Sequence, residues 1–406
     1  MFPAHYRHHA SAFFQDFALS SGFALIPFYI YDHIGGGARM SGNVSAAQSL
    51  FYAIACLLVA RYAGNLRHPV RVAVIGCVGF AVLMPMVLLT QTGLQVGLLS
   101  VVALVCLALY WPAMQSWLGG EPNSRIRARR MAHYTVAWSL GLAIGPMFTG
   151  WLYDFADFRY AFGLVAASTL VAAALAWSLP EVLEAHATDE AVDAEPVDLE
   201  VCERHLYPTW VASFVSWGMV GAMRGVYPKR VHELVDDSSL HALWPGGPID
   251  LSGAKAATVY AVLLLSLYGS RAATSYLMGV WHGWHGRYSW VFVSQIGAAA
   301  ALYGLGVSSS LTVISICCLL IGFNGGITFF ASLYYSVADP ARRHGRAAIH
   351  ESLVGVGGFC AAIAAGELAE RFGSGIPFVY APMLVVGAVL IQLMMYSRRR
   401  SRPAVG

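Results

Sequence analysis

Twelve apolar stretches run through this 406-residue chain, divided six and six by one acidic segment. Each is about 20 residues long, the length a helix needs to cross the ~30 Å hydrocarbon core of a bilayer. They cover residues 11–31, 43–61, 70–91, 94–118, 131–153 and 159–179, then 207–227, 256–280, 288–306, 310–336, 346–369 and 375–396. Backbone polar groups in lipid must be satisfied within their own segment, so each stretch is expected to be a helix. The chain divides into an N-terminal six-helix bundle (1–180), an acidic cytoplasmic linker (181–206), a C-terminal six-helix bundle (207–397) and a basic tail (398–406). The expected fold is an all-α integral membrane protein of twelve transmembrane helices in two pseudo-symmetric bundles.

Composition narrows the function classes. Only 12% of residues are charged while 57% are hydrophobic, against about 25% charged in a soluble domain. A net charge of +3 gives a nucleic-acid role no support. The basic residues gather in alternate connections: Arg61, Arg67 and Arg71, then Arg125 to Arg130, Arg342 to Arg346, and Arg398 to Arg402. That asymmetry places both termini in the cytoplasm. No small-residue cleavage site follows Arg7, so the first span is expected to remain in the mature protein. The near-exclusive use of arginine, with Lys229 and Lys255 the only lysines, suggests a bacterial inner-membrane setting.

The seven cysteines show no CxxC or Cys/His ligand spacing and read as small apolar residues. The histidines His5, His8 and His9 read as a solvated terminus. No HExxH motif, paired intramembrane aspartates or nucleophile elbow occurs, so neither metal, cofactor nor enzymatic activity is expected. The linker reads as disordered, and the long connection 228–255, with Trp244-Pro-Gly-Gly-Pro248, as a partial lid.

Arg129, His133 and Gly141 in the fifth span recur as Arg346, His350 and Gly358 in the eleventh at one constant offset. Duplicated bundles with a midplane site between them are a recurrent transporter plan.

With these residues in view the whole chain resembles the major facilitator superfamily. Gly279-Val-Trp-His-Gly283-Trp-His-Gly286-Arg287 is similar to that family's G-x-x-x-D-x-x-G-R loop, with Gly283 in place of the acid. Arg61-Tyr-Ala-Gly64-Asn-Leu-Arg67, after the second span, is a more degenerate copy. Gly141-x-x-x-Gly145-Pro146-x-x-x-Gly150 looks like the motif associated with exporters of the family; its small residues permit close helix approach and its proline a hinge. The fourth span lacks the arginine of the family's proton-linked motif. The resemblance implies a monomeric secondary transporter working by alternating access on a small-molecule substrate.

Ionisable groups inside a membrane are costly, so each is a candidate for function. Asp16, beside Gln15, reads either as a protonatable group of the cavity or as a cap at the cytoplasmic end. Arg271 lies ~13 Å deep in the eighth span, and His350 and Glu351 lie ~6–9 Å deep in the eleventh. An Arg271–Glu351 ion pair or hydrogen bond facing the cavity is expected. Arg224, near the outer end of the seventh span, is expected to snorkel to the interface. Tyr110, Trp111, Gln115, Trp138 and Trp217 either line an amphipathic site or pack helices. The run Gly322-Phe-Asn324-Gly-Gly326 has poor helix propensity and is expected to be a flexible point with an exposed amide. Glu367, Glu370, Asp154 and Asp157 read as solvated helix ends.

Three readings remain open. The first is export of a small organic molecule exchanged for protons through Asp16, Glu351 or His350. The second is uptake of a small anionic metabolite through Arg271 and Arg224. The third is a non-transporting receptor or assembly factor on the same fold, which a cavity without convergent polar groups would favour.

Overall fold

The computed structural model describes residues 3–63, 68–119, 124–181, 199–245, 247–251, 253–339 and 342–400. Among the described residues ten helical segments are long and apolar enough to cross a membrane. They include, in the first half, α1 (Ala4–Tyr29), α2 (Ala38–Ala63), α3 (Pro69–Met86), α6 (Ser124–Phe155) and α7 (Phe158–Trp177). In the second half they include α10 (Ala256–Val280), α11 (Ser289–Val307), α12 (Leu311–Val337), α13 (Arg343–Phe372) and α14 (Ile376–Arg400).

The two remaining spans depart from that pattern for visible reasons. The fourth is not one helix: α4 (Gly93–Leu107) ends and α5 (Tyr110–Gly119) begins within it. Pro112 has no amide hydrogen for the Ala108 carbonyl four residues earlier, so the ladder breaks there. The seventh, α8 (Leu199–Gly225), carries Glu200, Glu203, Arg204 and His205 in its first turns, which lower its apolar character. Because α8 starts at Leu199, the end of the segment expected to be a disordered linker is helical; residues 182–198 lie outside the described residues.

The connection 228–255 is also structured. Amphipathic α9 (Tyr227–Asp236) buries Tyr227, Pro228, Val231 and Leu234. Strands β1 (His241–Trp244) and β2 (Gly247–Asp250) then pair antiparallel with His241 opposite Asp250. The Leu243 amide donates to the Thr312 hydroxyl at 2.9 Å, tying the hairpin to α12.

Within the first half α1 packs on α6 and α7, and within the second α8 packs on α13 and α10 on α12. Between halves, α2 lies along α13 and α6 along α10. One apolar core, with Leu25, Phe80, Leu107 and Phe162, is confined to the first half. Another joins Phe28 and Leu142 of the first half to Tyr227, Tyr260 and Phe378 of the second.

Despite its glycines, Gly322–Gly326 is helical, and α12 is continuous through it. An added methyl at Gly326 would meet the Thr274 Cβ at 2.6 Å, so the glycines serve close approach of α12 to α10. The N-terminal histidines are not a solvated end either. His8 is fully buried and stacks on Trp117 at 4.9 Å, and His9 is buried beside it.

The halves are clamped at the end opposite the termini. Arg39 of α2 pairs with Glu367 of α13 at 2.7 Å, and the Arg39 amide donates to Glu370 at 3.2 Å. The Thr258 amide of α10 donates to Asp154 of α6 at 2.6 Å. His232 of α9 pairs with Asp32, just beyond α1, at 3.0 Å. These acids therefore bridge the halves and are not merely solvated helix ends. An added methyl at Gly42 of α2 would meet the Ala362 carbonyl and the Gly366 Cα, each at 2.8 Å, so backbones of the two halves touch here. At the termini end the described ion pairs stay within one half: Glu181 with Arg71, and Glu203 with Arg342 and Arg346.

Candidate functional site

A cavity of about 240 Å³ lies between the halves, and both contribute to its wall. Helical periodicity decides which side chains reach it. From α13 come Glu351, Val354, Gly355 and Gly358, the i, i+3, i+4, i+7 stripe of one face. From α8 come Trp217, Gly221 and Arg224, one turn apart each. Asp16 and Phe23 of α1, two turns apart, face it from the first half, with Tyr134 and Trp138 of α6. Eight aromatic residues line the wall, and its charged groups are Asp16, Arg224 and Glu351.

Each charge has a distinct setting. Asp16 is 3% exposed and accepts a hydrogen bond from the Trp111 indole at 3.3 Å. Placed twelve residues beyond the start of α1 at Ala4, it is too deep to cap the helix. Arg224 does not snorkel outward: it lines the cavity, and its guanidinium lies over the Phe23 ring at 3.6 Å. Its Nε is buried without a hydrogen-bond partner.

Arg271 is buried, yet it is not part of the wall. Its guanidinium sits against Trp217, Phe329 and Trp138, at 4.4, 4.7 and 5.5 Å from their centroids. These three rings line the cavity, so they screen Arg271 from it. The expected Arg271–Glu351 contact is absent: Arg271 Nε and Nη2 have no hydrogen-bond partner. The charges of Glu351 and Asp16 act on Arg271 only at longer range. The aromatic rings take the space a direct pair would need.

The structure brings together Asp16, Trp111, Trp138, Trp217, Arg224 and Glu351 at the cavity, and the following candidates lie elsewhere. Gln15 faces α3, accepting a hydrogen bond from the Cys77 thiol at 2.9 Å. Tyr110 is fully buried and shares a hydrogen bond with Ser11 at 2.8 Å. Asn324 accepts from Ser294 at 3.1 Å inside the second bundle, so its amide is not exposed. His350 Nδ1 and the Ser332 hydroxyl share a hydrogen bond at 2.7 Å, with the ring beside Phe329. The side chain of Gln115 lies outside the described residues.

The glycine motif has a packing role. Gly141 and Gly145 lie directly on the α1 backbone at Phe13 and Phe17. An added methyl at Gly150 would meet the Ala257 carbonyl of α10 at 2.8 Å, across the halves. Helix α6 runs through Pro146 without interruption. In the loop after α10, Gly279 precedes the helix end and Gly283 packs under the Trp281 ring. Gly286 adopts φ +67°, the left-handed region that favours glycine, and donates its amide to the Tyr335 hydroxyl at 3.2 Å. Arg287 is exposed.

Sequence reasoning missed Tyr52, Phe23, Tyr134, Tyr268 and Phe329 as wall residues. Helical spacing from the ionisable groups was a usable signal for two of them. Phe23 is seven residues after Asp16, and Tyr268 three before Arg271.

Several solved structures share this architecture. A mutant of the nucleoside transporter NupG superposes with a TM-score of 0.75 at 11% identity, covering 97% of this chain and 100% of that one. A POT family transporter in complex with 5-aminolevulinic acid gives 0.74 at 13% identity, covering 97% and 96%. A bacterial homologue of the human lysosomal transporter Spinster, inward-facing and unoccupied, gives 0.71 at 13% identity, covering both chains fully. At such identities the likeness concerns the fold. No curated protein sequence matches the chain. The family model of the Major Facilitator Superfamily matches residues 9–349, and the chain, a non-enzymatic multi-pass transporter in its fold, belongs to that superfamily.

Proposed function

We propose that the chain is a proton-linked secondary transporter of a small organic molecule, monomeric in a bacterial inner membrane with both termini cytoplasmic. The observation that carries the reading is the pair of acids, buried Asp16 of the first half and half-buried Glu351 of the second, on the wall of one cavity between the halves. Rocking of the halves changes what each acid faces, which is what coupling a proton to alternating access requires. Polar groups converge on the cavity, which argues against a receptor without cargo. The clamp at the end opposite the termini leaves access from the cytoplasmic end.

Export is the first reading of direction, supported by Gly141, Gly145, Pro146 and Gly150. Uptake of an anion is the second, supported by Arg224 at the wall. Inside-out vesicles with an imposed proton gradient, screened with charged and neutral compounds against a pH-sensitive dye, separate them. An exporter's substrate dissipates the gradient, whereas right-side-out vesicles accumulate the substrate of an uptake system. Either response should be lost in Asp16→Asn or Glu351→Gln protein that still folds. Full gradient-linked transport in both variants would overturn the proton role of these acids.

A further inference from the structure

The two arginines near the cavity have opposite electrostatic settings. Arg271 stands behind Trp217 and Phe329, away from the cavity, and its Nε and Nη2 are buried without a hydrogen-bond partner. Arg224 is placed differently. It lies on the cavity wall, which Tyr268 also lines. Among the described residues no carboxylate pairs with it, and its Nε is buried without a partner. Half-buried and with no counter-ion, Arg224 is held by stacking on the Phe23 ring at 3.6 Å. The guanidinium fork, with Nε unused, is suited to bidentate contact with a carboxylate.

We propose that Arg224 is the anion-binding residue of the cavity, and that the ligand is an aromatic monoanion with its negative group on Arg224 and its ring among Trp138, Trp217 and Phe329. Three observations set that class. The unpaired cation on the wall calls for one negative charge, since the second arginine stands behind the rings and off the wall. The wall is aromatic, so the ligand's body is a π-system, which stacks better than a flexible chain. The cavity, about 240 Å³, is smaller than the ~300 Å³ at which drug-sized sites begin. It therefore takes one or two fused rings and excludes a lipid tail. The inference rests on the transporter reading only in taking this cavity as the substrate's, and it assigns Arg271 an internal role in place of substrate contact.

The test is thermal unfolding of the purified full chain with indole-3-acetate, indole-3-acetamide and tryptamine, which share a ring system and differ in charge. Lysophosphatidylglycerol serves as a lipid-borne anion. The expected result is a midpoint rise of about 2 °C or more with indole-3-acetate alone, growing with concentration. Arg224→Gln should abolish the rise while its unliganded midpoint stays at or above that of the wild type, because the uncompensated charge is gone. Arg224→Lys keeps the charge but loses the fork, and should need roughly tenfold more indole-3-acetate; it decides the matter if Arg224→Gln does not fold. Stabilisation by tryptamine, by the amide or by the lysolipid, no response to any probe, or a response surviving unchanged in either variant would overturn the proposal. A tryptamine-selective result would leave transport standing. Stabilisation by indole-3-acetate with no gradient-linked flux in vesicles would instead overturn transport and leave the site.

Discussion

The contact between His232 and Asp32 should make closure of the outer end depend on pH. His232 Nδ1 faces Asp236 at 2.7 Å and Nε2 faces Asp32 at 3.0 Å. Only the imidazolium has an N–H for each carboxylate, so protonation fits the closed geometry. The Asp32 hydrogen bond, followed by the nearby charges of Asp236 and Asp32, raises the His232 pKa above its ordinary value against the effect of burial. Tyr153 of α6 also donates to Asp32, at 2.8 Å, and His33 stands next to it in sequence. Asp236 shares α9 with His232 and stays with it when the halves part, so the Asp32 bond is the part lost on opening. At about 30% exposure, with side chains 27% and 31% accessible, such a pair is worth about 1 kcal/mol. That is a roughly fivefold shift between closed and open outer ends. Because the closed-state pKa is raised, the contribution is fully present below the ordinary histidine value of about 6.5 and is lost as pH rises through the raised value. Spin labels on Gln91→Cys and Val307→Cys, exposed on opposite halves at this end, should report a larger open fraction at pH 8.5 than at pH 6. Asp32→Asn should remove the difference. An identical distance distribution at the two pH values, or a pH effect that survives Asp32→Asn, would refute the reasoning.

Two further outcomes follow from packing at named contacts. Gly42→Leu would push a side chain into the Ala362 carbonyl and Gly366 Cα; the same labels should show the outer end held open, and transport should fall at least tenfold without loss of folded protein. In the second bundle Gln295 and Gln392 exchange amide hydrogen bonds at 2.8 and 2.9 Å, both fully buried. Gln295→Leu should lower stability by about 1–3 kcal/mol by orphaning its partner, whereas adding Gln392→Leu together with Tyr288→Phe, which removes the hydroxyl that donates to Gln392, should recover most of the loss in denaturant titration.

The spans were legible in the sequence because the bilayer imposes a length and a polarity that few other structures satisfy. What escaped was set by contacts between helices. Pro112 marked the break between α4 and α5, but an apolar stretch of that length reads as one span unless the proline's missing donor is followed back to Ala108. Gly322 and Gly326 looked like helix breakers because propensity treats glycine alone; against α10 the same glycines are what allow the helices to meet. The site was half legible. Asp16, Glu351, Trp138 and Trp217 follow from asking which polar and aromatic groups lie in spans. The relation of Arg271 to Glu351 does not, because spacing along two helices does not show that three rings stand between the guanidinium and the cavity. His8 illustrates the reverse error: a histidine near a chain end is ordinarily hydrated, but α1 begins at Ala4 and carries it into the bundle.

If the proposed anion binds on Arg224, the separation of the two arginines explains how one cavity could hold both acids and an anion. Were Asp16 and Glu351 uncompensated, an anionic ligand would meet two negative charges in a medium of low dielectric, where each repulsion is worth several times its value in water. Arg271, set behind the rings, offsets that field without occupying ligand space, and Arg224 supplies the attractive contact on the wall. Protonation of either acid lowers the remaining repulsion, so proton and anion favour each other's binding, and by linkage each raises the other's affinity by the same factor. A cation would gain from the acids but would face Arg224. On that proposal an anion bound on Arg224 would travel with the proton, so a monoanionic ligand would favour uptake, the second reading of direction, over exchange. Measured proton and substrate fluxes of opposite direction with indole-3-acetate as substrate would break that tie.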